Sequence, residues 1–173
     1  MKRYGKHMRL VAIALTMTAV ASLPAQAQTT QTPEFSAGYQ FTHFPNTNVP
    51  GGWYADYAVP VNSMWAAFGE VNGAYKEGDK LHVYGGGVRY VERRNPQVVP
   101  FGQILAGAAT FSGDGDTQTK FALQIGGGVN IPVNDMWDVR VGADYRRVFI
   151  GEDQGGGENE FRFVVGIVLP IGQ

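Results

Sequence analysis

Little in this sequence is equipped for covalent chemistry. A nucleophile needs a neighbouring base to activate it, and the candidates are Ser36 and Ser112 with His43 and His82, which no motif brings together. The two histidines fall near the ends of strand-like segments and lack the spacing of a metal-binding pair. The stretch "GGGVR" at 85–89 lacks the Lys-Ser/Thr that completes a phosphate loop. "GDGDTQTK" at 113–120 offers Asp114 and Asp116 without the later ligands of a calcium loop. With no cysteine anywhere, a thiol nucleophile, a thiolate metal site and a disulfide scaffold are all excluded. The sequence therefore predicts no catalytic residue, no metal and no cofactor, in a protein that is not an enzyme.

The chemistry left to it is electrostatic. Asp56, Glu70, Arg89, Asp138, Arg140, Asp144, Arg146 and Arg162 lie within segments of alternating polarity, on the face opposite the apolar one. They number four acids and four bases, so the set can neutralise itself. What positions them is a period of two. In 160–171, Phe161, Phe163, Val165, Ile167, Leu169 and Ile171 share one face while Arg162, Val164, Gly166, Val168 and Pro170 share the other. Residues 137–149 repeat the scheme, Trp137, Val139, Val141, Ala143 and Tyr145 opposing Asp138, Arg140, Gly142, Asp144 and Arg146. Such alternation marks β-strands with two chemically different faces.

Eight segments follow: 34–44, 52–61, 64–76, 80–92, 99–112, 120–133, 136–150 and 159–171. They are longer than an ordinary strand, with a mode of about 5–6 residues, and suit a tilted strand crossing a bilayer, which needs roughly 9–11. Charge on the lipid face at mid-bilayer costs about 2–4 kcal/mol for Arg or Lys. The eight ionisable residues are therefore expected to point into the lumen and pair there. Gly85, Gly87, Gly126, Gly128, Gly142 and Gly166 fall on the same face and would make room for them. Arg147 falls on the lipid parity, near a strand end.

The connections alternate in length. "PVNSMW" at 60–65 returns as "PVNDMW" at 132–137, a spacing of four strands, and each reads as a tight hairpin built on Asn62 or Asn134, a residue that tolerates positive φ. "RNPQVV" makes the third join at that end. "PNTNVPG", "KEGDK", "SGDGDTQT" and "GEDQGGGEN" make longer, acidic, Gly-rich loops at the other. An outer-membrane barrel shows this asymmetry, with short periplasmic turns and long outer loops. Trp53, Trp65 and Trp137 are expected at the membrane interfaces, where indole rings prefer to sit.

The N-terminus has the three parts of a cleavable signal peptide over 1–27: a basic "MKRYGKHMR", an apolar "LVAIALTMTAVASL" and "AQA" at Ala25–Ala27. Residues 28–33 read as a short linker and 34–173 as the barrel. The whole chain holds 14 basic and 15 acidic residues. Removing the signal takes away Lys2, Arg3, Lys6 and Arg9, leaving a mildly acidic chain with no basic stripe for nucleic acid. Glycine, at 24 of 173 residues, is about twice its usual share of roughly 7%.

The stretches "GWYADYAVPVNSMWAAFGEV", "VPFGQILAGAATF", "FALQIGGGVNIPV", "VRVGADYRRVF" and "NEFRFVVGIVLPIG" resemble the bacterial outer-membrane β-barrel domain family, which is similar to the transmembrane domain of outer membrane protein A. The resemblance covers essentially the whole chain after the signal. It implies an eight-stranded antiparallel up-and-down barrel in the outer membrane of a Gram-negative-type bacterium, inserted by the barrel assembly machinery with the help of periplasmic chaperones. Outer-membrane lipid is the expected surrounding partner, and the protein is expected to be a monomer that binds no nucleic acid. The leading functional expectation is a structural or surface-interaction barrel whose lumen is filled by a balanced ionic network. The alternatives are a small pore for ions or solutes and a soluble, lipocalin-like ligand-binding barrel with its polar face outward.

Overall fold

The computed structural model describes residues 32–45, 47–76, 79–95, 97–113, 116–149 and 157–172; the predicted signal peptide and the acidic loop at 150–156 lie outside them. The described residues form β1 Glu34–Phe44, β2 Thr47–Val49, β3 Gly51–Pro60, β4 Trp65–Lys76, β5 Asp79–Val91, β6 Val99–Gly113, β7 Asp116–Asn134, β8 Trp137–Phe149 and β9 Glu158–Pro170. All pairings are antiparallel; β1 pairs with both β2 and β3, each later strand pairs with the next in the chain, and β9 pairs back onto β1 from Glu34↔Pro170 to His43↔Phe161. The eight long strands are thereby closed into an up-and-down barrel in which each is paired on both sides, so that none of them presents an edge to template aggregation.

The eight predicted segments correspond to these long strands. The largest displacement is at the start of β7, which begins at Asp116. The short β2 falls inside the segment read as the loop "PNTNVPG". It pairs with β1 at Thr42↔Val49, whereas β3 reaches β1 at Tyr39↔Trp53, so one extra residue lies on the β2–β3 side. That is a bulge, placed where Pro50 has no N–H to give to a ladder.

The asparagines of the repeated phrase also act through their side chains. Asn62 Oδ1 accepts the backbone N–H groups of Met64 and Trp65, both at 2.9 Å. Asn134 Oδ1 accepts those of Met136 and Trp137, at 2.8 and 3.1 Å. Each asparagine side chain thus imitates a backbone turn and satisfies two amides that the hairpin leaves unpaired. The two turns join β3 to β4 and β7 to β8, on opposite sides of the barrel.

The strand faces separate as the alternation requires. Phe163, Val165, Ile167, Ile125, Ile104, Val88 and Val71 are about half exposed on the outside. Ser36, Gln40, Asp56, Glu70, Arg89, Arg140, Arg146 and Arg162 are buried inside.

Candidate functional site: the charged barrel interior

Eight ionisable residues are fully buried: Asp56, Glu70, Asp144 and Glu160 against Arg89, Arg140, Arg146 and Arg162. They form one connected network. Near the end that carries the termini, Asp56 on β3 accepts from Ser36 Oγ at 2.6 Å and from Arg140 at 2.8 Å, and it pairs with Arg89 at 3.1 Å. Arg140 on β8 also reaches Asn130 at 2.9 Å, and Glu34 at 3.8 Å. Gln103 on β6 carries the network upward, accepting from Arg89 Nε at 2.9 Å and donating to Asp144 at 3.0 Å. Arg162 on β9 then joins Asp144, at 2.6 Å, to Glu70 on β4, at 2.5 and 3.0 Å. Glu70 accepts from Asn72 at 2.8 Å, Asn72 accepts from Arg146 at 3.3 Å, and Arg146 donates to Glu160 at 2.6 Å and to Gln124 at 2.9 Å.

Two apolar clusters accompany this network. Ala58, Ala66, Phe68 and Leu105 pack in the half nearer the termini, beside Arg89. Val49, Ala74, Leu81, Val83, Ala109, Ala122 and Val148 cluster at the opposite mouth. The Arg89 guanidinium lies 4.5 Å from the Phe68 ring centroid and that of Arg140 lies 4.9 Å from Phe101, so the ring faces add to the charge compensation. In a low-dielectric enclosure unpaired charge is prohibitive, and the four-to-four balance is what makes this filling tolerable.

The membership differs from the predicted set by one exchange. Asp138 is only half-buried and makes no ion pair among the described residues, because it opens β8 at the terminus end of the barrel. Glu160 takes its place. It shares the parity of Arg162 and lies within the predicted segment 159–171, one residue from its start, but was not counted among the charged set; β9 begins at Glu158. The neutral members Ser36, Gln40, Asn72, Gln103, Gln124 and Asn130 were also missed; each lies on the interior parity of its strand. Counting polar residues of every kind by parity would have found them.

Two of the interior glycines make room for side chains. A Cβ on Gly126 would strike Asp144 Oδ1, and one on Gly166 would strike the Tyr54 hydroxyl. Gly85, Gly87 and Gly128 answer a different constraint, since a Cβ there would meet the backbone carbonyls of Ala106, Ile104 and Val141 on the adjacent strands. The tryptophans lie at the two ends. Trp65 packs edge-on to Tyr90 at 5.3 Å, Trp137 is half-buried at the start of β8, and Trp53 at the far end donates to Tyr75 Oη at 2.9 Å. Arg147 faces outward against the Phe149 ring, 5.5 Å from its centroid.

The residues weighed for chemistry stay apart. Ser36 is held between Asp56 and Arg140, Ser112 contacts Thr117, His43 meets Asn48 and His82 meets Tyr75. No cluster of three metal-ligating residues occurs among the described residues. Asp114 and the side chain of Asp116 lie outside the described residues.

A closed antiparallel barrel of eight long strands, apolar where it meets its surroundings and charged within, is built to stand in a bilayer. A lipocalin-like soluble barrel, which needs the opposite arrangement, is not favoured. The family described as outer membrane protein beta-barrel domain matches residues 13–167, and the chain belongs to that family: it is an outer-membrane protein embedded in membrane lipid. Comparison with curated proteins returned no matching relative. Among solved structures, Neisserial surface protein A is similar at a TM-score of 0.59 with 16% identity, over 80% of this chain and 96% of that one. The N-terminal β-barrel domain of Pseudomonas aeruginosa OprF is similar at 0.58 with 10% identity, over 80% and 98%. Ail, the attachment invasion locus protein of Yersinia pestis, is similar at 0.56 with 17% identity, over 80% and 98%. At such identities the likeness is one of fold.

Proposed function

We propose that the protein is a closed structural barrel whose working surface is the mouth and loops at the end opposite its termini, and that it neither conducts solutes nor catalyses a reaction. One observation carries this reading: the interior is occupied by a connected, charge-balanced network whose eight charged members are each no more than 3% exposed. Moving an ion through would require breaking several buried pairs at once, at about 3–5 kcal/mol each. The network holds the lumen shut and fixes the register of strands that have no disulfide to brace them. Trp65 and Trp137 anchor the periplasmic interface and Trp53 the outer one.

Residues 1–27 direct export and are removed, 28–33 link, and 34–173 are inserted as a monomer by the barrel assembly machinery after delivery by periplasmic chaperones. The test is conductance across planar bilayers by the purified mature barrel. The expected record is flat; resolved, reproducible current steps would replace this reading with that of a small pore.

A further inference from the structure

The outward face ends differently at the two ends of the barrel. Away from the termini, the outward positions turn polar before the strands finish: Lys80 on β5, Thr110 and Ser112 on β6, Thr117 and Thr119 on β7, and Asn159 on β9. At the terminus end they stay apolar past the strand ends and into the turns. Val61 and Met64 are each 45% exposed, Val133 51% and Met136 73%. Ile171, just beyond β9, is exposed as well. Turn tips in water are ordinarily built from Gly, Asn, Asp and Ser, and the Asn62 and Asn134 side chains already set the shape of these two turns. The fold itself has little use for the valine and methionine that both turns carry. The one position at which the two six-residue phrases differ holds Ser63 or Asp135, polar and exposed.

The apolar tips continue the lipid-facing surface. The Val61 N–H donates to the Trp65 carbonyl at 2.8 Å, which lays Val61 beside Trp65. Trp65 packs on Tyr90, whose hydroxyl reaches Met64 Sδ at 3.9 Å. Val133 follows Ile131 on the outward parity of β7, and Met136 precedes Trp137. The height of the apolar band calls for this extension. On β8 the outward apolar residues run from Trp137 to Tyr145 before Arg147 interrupts them. At about 3.3 Å per residue and a tilt of about 40°, that run spans only about 20 Å of a band that is about 25 Å tall. Val133 and Met136 make up the remainder. On β9 the run from Phe161 reaches the full height of about 25 Å only when Ile171 is included.

We propose that the turns 61–64 and 133–136 are seated in the phospholipid of the periplasmic leaflet, with Val61, Met64, Val133 and Met136 at the boundary between headgroups and acyl chains. Lying on opposite sides of the barrel, they act as two feet that fix its depth. The polar ends of β5, β6 and β7 then stand clear of the outer leaflet and carry the mouth with them. This rests on the reading above that the termini face the periplasm, and adds the surface that sets how far the mouth projects.

Once residues 1–27 are removed, Met64 and Met136 are the only methionines of the chain, so the native protein reports on both turns. The test uses the mature barrel, isotope-labelled at its methionine methyl groups, in phosphatidylcholine nanodiscs, with the two signals assigned through Met64→Leu. Relaxation is induced by lipids carrying a nitroxide near the headgroup or deep in the chain and, separately, by a water-soluble gadolinium chelate. Both methyl signals are expected to lose most of their intensity to the headgroup-proximal nitroxide and little to the chelate. The Val165 amide, at the middle of β9, is the reference for embedding and is expected to respond to the deep nitroxide. Either methyl broadened by the chelate and spared by both lipids, while Val165 responds, would overturn the proposal and leave the embedding intact. A Val165 amide that responds to neither lipid would overturn both.

Discussion

Replacing Arg162 with Met removes the cation that holds two buried carboxylates together. Its guanidinium donates twice to Glu70, at 2.5 and 3.0 Å, twice to Asp144, at 2.6 and 3.1 Å, and once to Gln40, at 3.3 Å. Methionine keeps much of the stem's apolar bulk, so packing changes little. The interior balance, however, becomes four acids against three bases. Four charge-assisted hydrogen bonds at about 1.5–3 kcal/mol apiece would sum to more than such substitutions cost. The measured scale for breaking a buried pair, about 3–5 kcal/mol, is therefore the expected loss at neutral pH.

The double variant R162M/E70Q restores the interior to three acids against three bases, and part of that loss is expected to return, since replacing a whole buried ionic set is often close to neutral. The assay is urea unfolding of the barrel in phosphatidylcholine vesicles, read by tryptophan fluorescence and gel mobility. A deficit below about 1 kcal/mol for the single variant, within the range of a solvated pair, would refute the reasoning. So would a double variant no more stable than the single one.

Asn62→Ala and Asn134→Ala each free two backbone amides and are expected to cost about 1 kcal/mol apiece; because the turns lie on opposite sides of the barrel, the double variant should lose the sum within about 0.5 kcal/mol in the same urea assay. Val165→Arg, at the middle of β9 on the lipid-facing side, should cost about 2–4 kcal/mol, whereas Ile171→Arg, just past the end of that strand, should cost about 0–1 kcal/mol; equal costs would mean that the outer face meets water along its length. Gly87→Ala drives a methyl group into the Ile104 carbonyl and is expected to lose about 1–3 kcal/mol or fail to refold, as gel mobility would show.

The barrel was legible where its two faces differ most. In β8 and β9 nearly every outward residue is apolar and most inward ones are charged or small, so period two alone fixes strand, face and register. It was less legible in β4 to β6. There Phe68, Leu81, Val83, Phe101 and Leu105 point inward, blurring the contrast on which parity depends. The interior cluster was read as a matter of charge, and seven of its eight buried ionisable members follow from that. Glu160, one residue inside the predicted segment 159–171, was not counted although its parity is that of Arg162. Asp138 was gained in error because its strand end was taken for strand interior. The bridging role of Gln103 and Asn72 depends on which side chains meet across the lumen, and no local pattern in a sequence carries that information. A cavity at the mouth opposite the termini was invisible for the same reason, since Phe44, Leu81, Phe111 and Lys120 line it from four different strands.

Everything rests on which face meets the acyl chains. With no native cysteine to interfere, single cysteines at positions 163, 165 and 167 can carry a bimane label in vesicles containing doxyl-lipids or in the presence of a water-soluble quencher. Strong quenching by the lipid-borne nitroxide at all three positions, with little by the aqueous quencher, is the predicted result. Labels untouched by the lipid quencher and shielded inside the barrel would contradict the account.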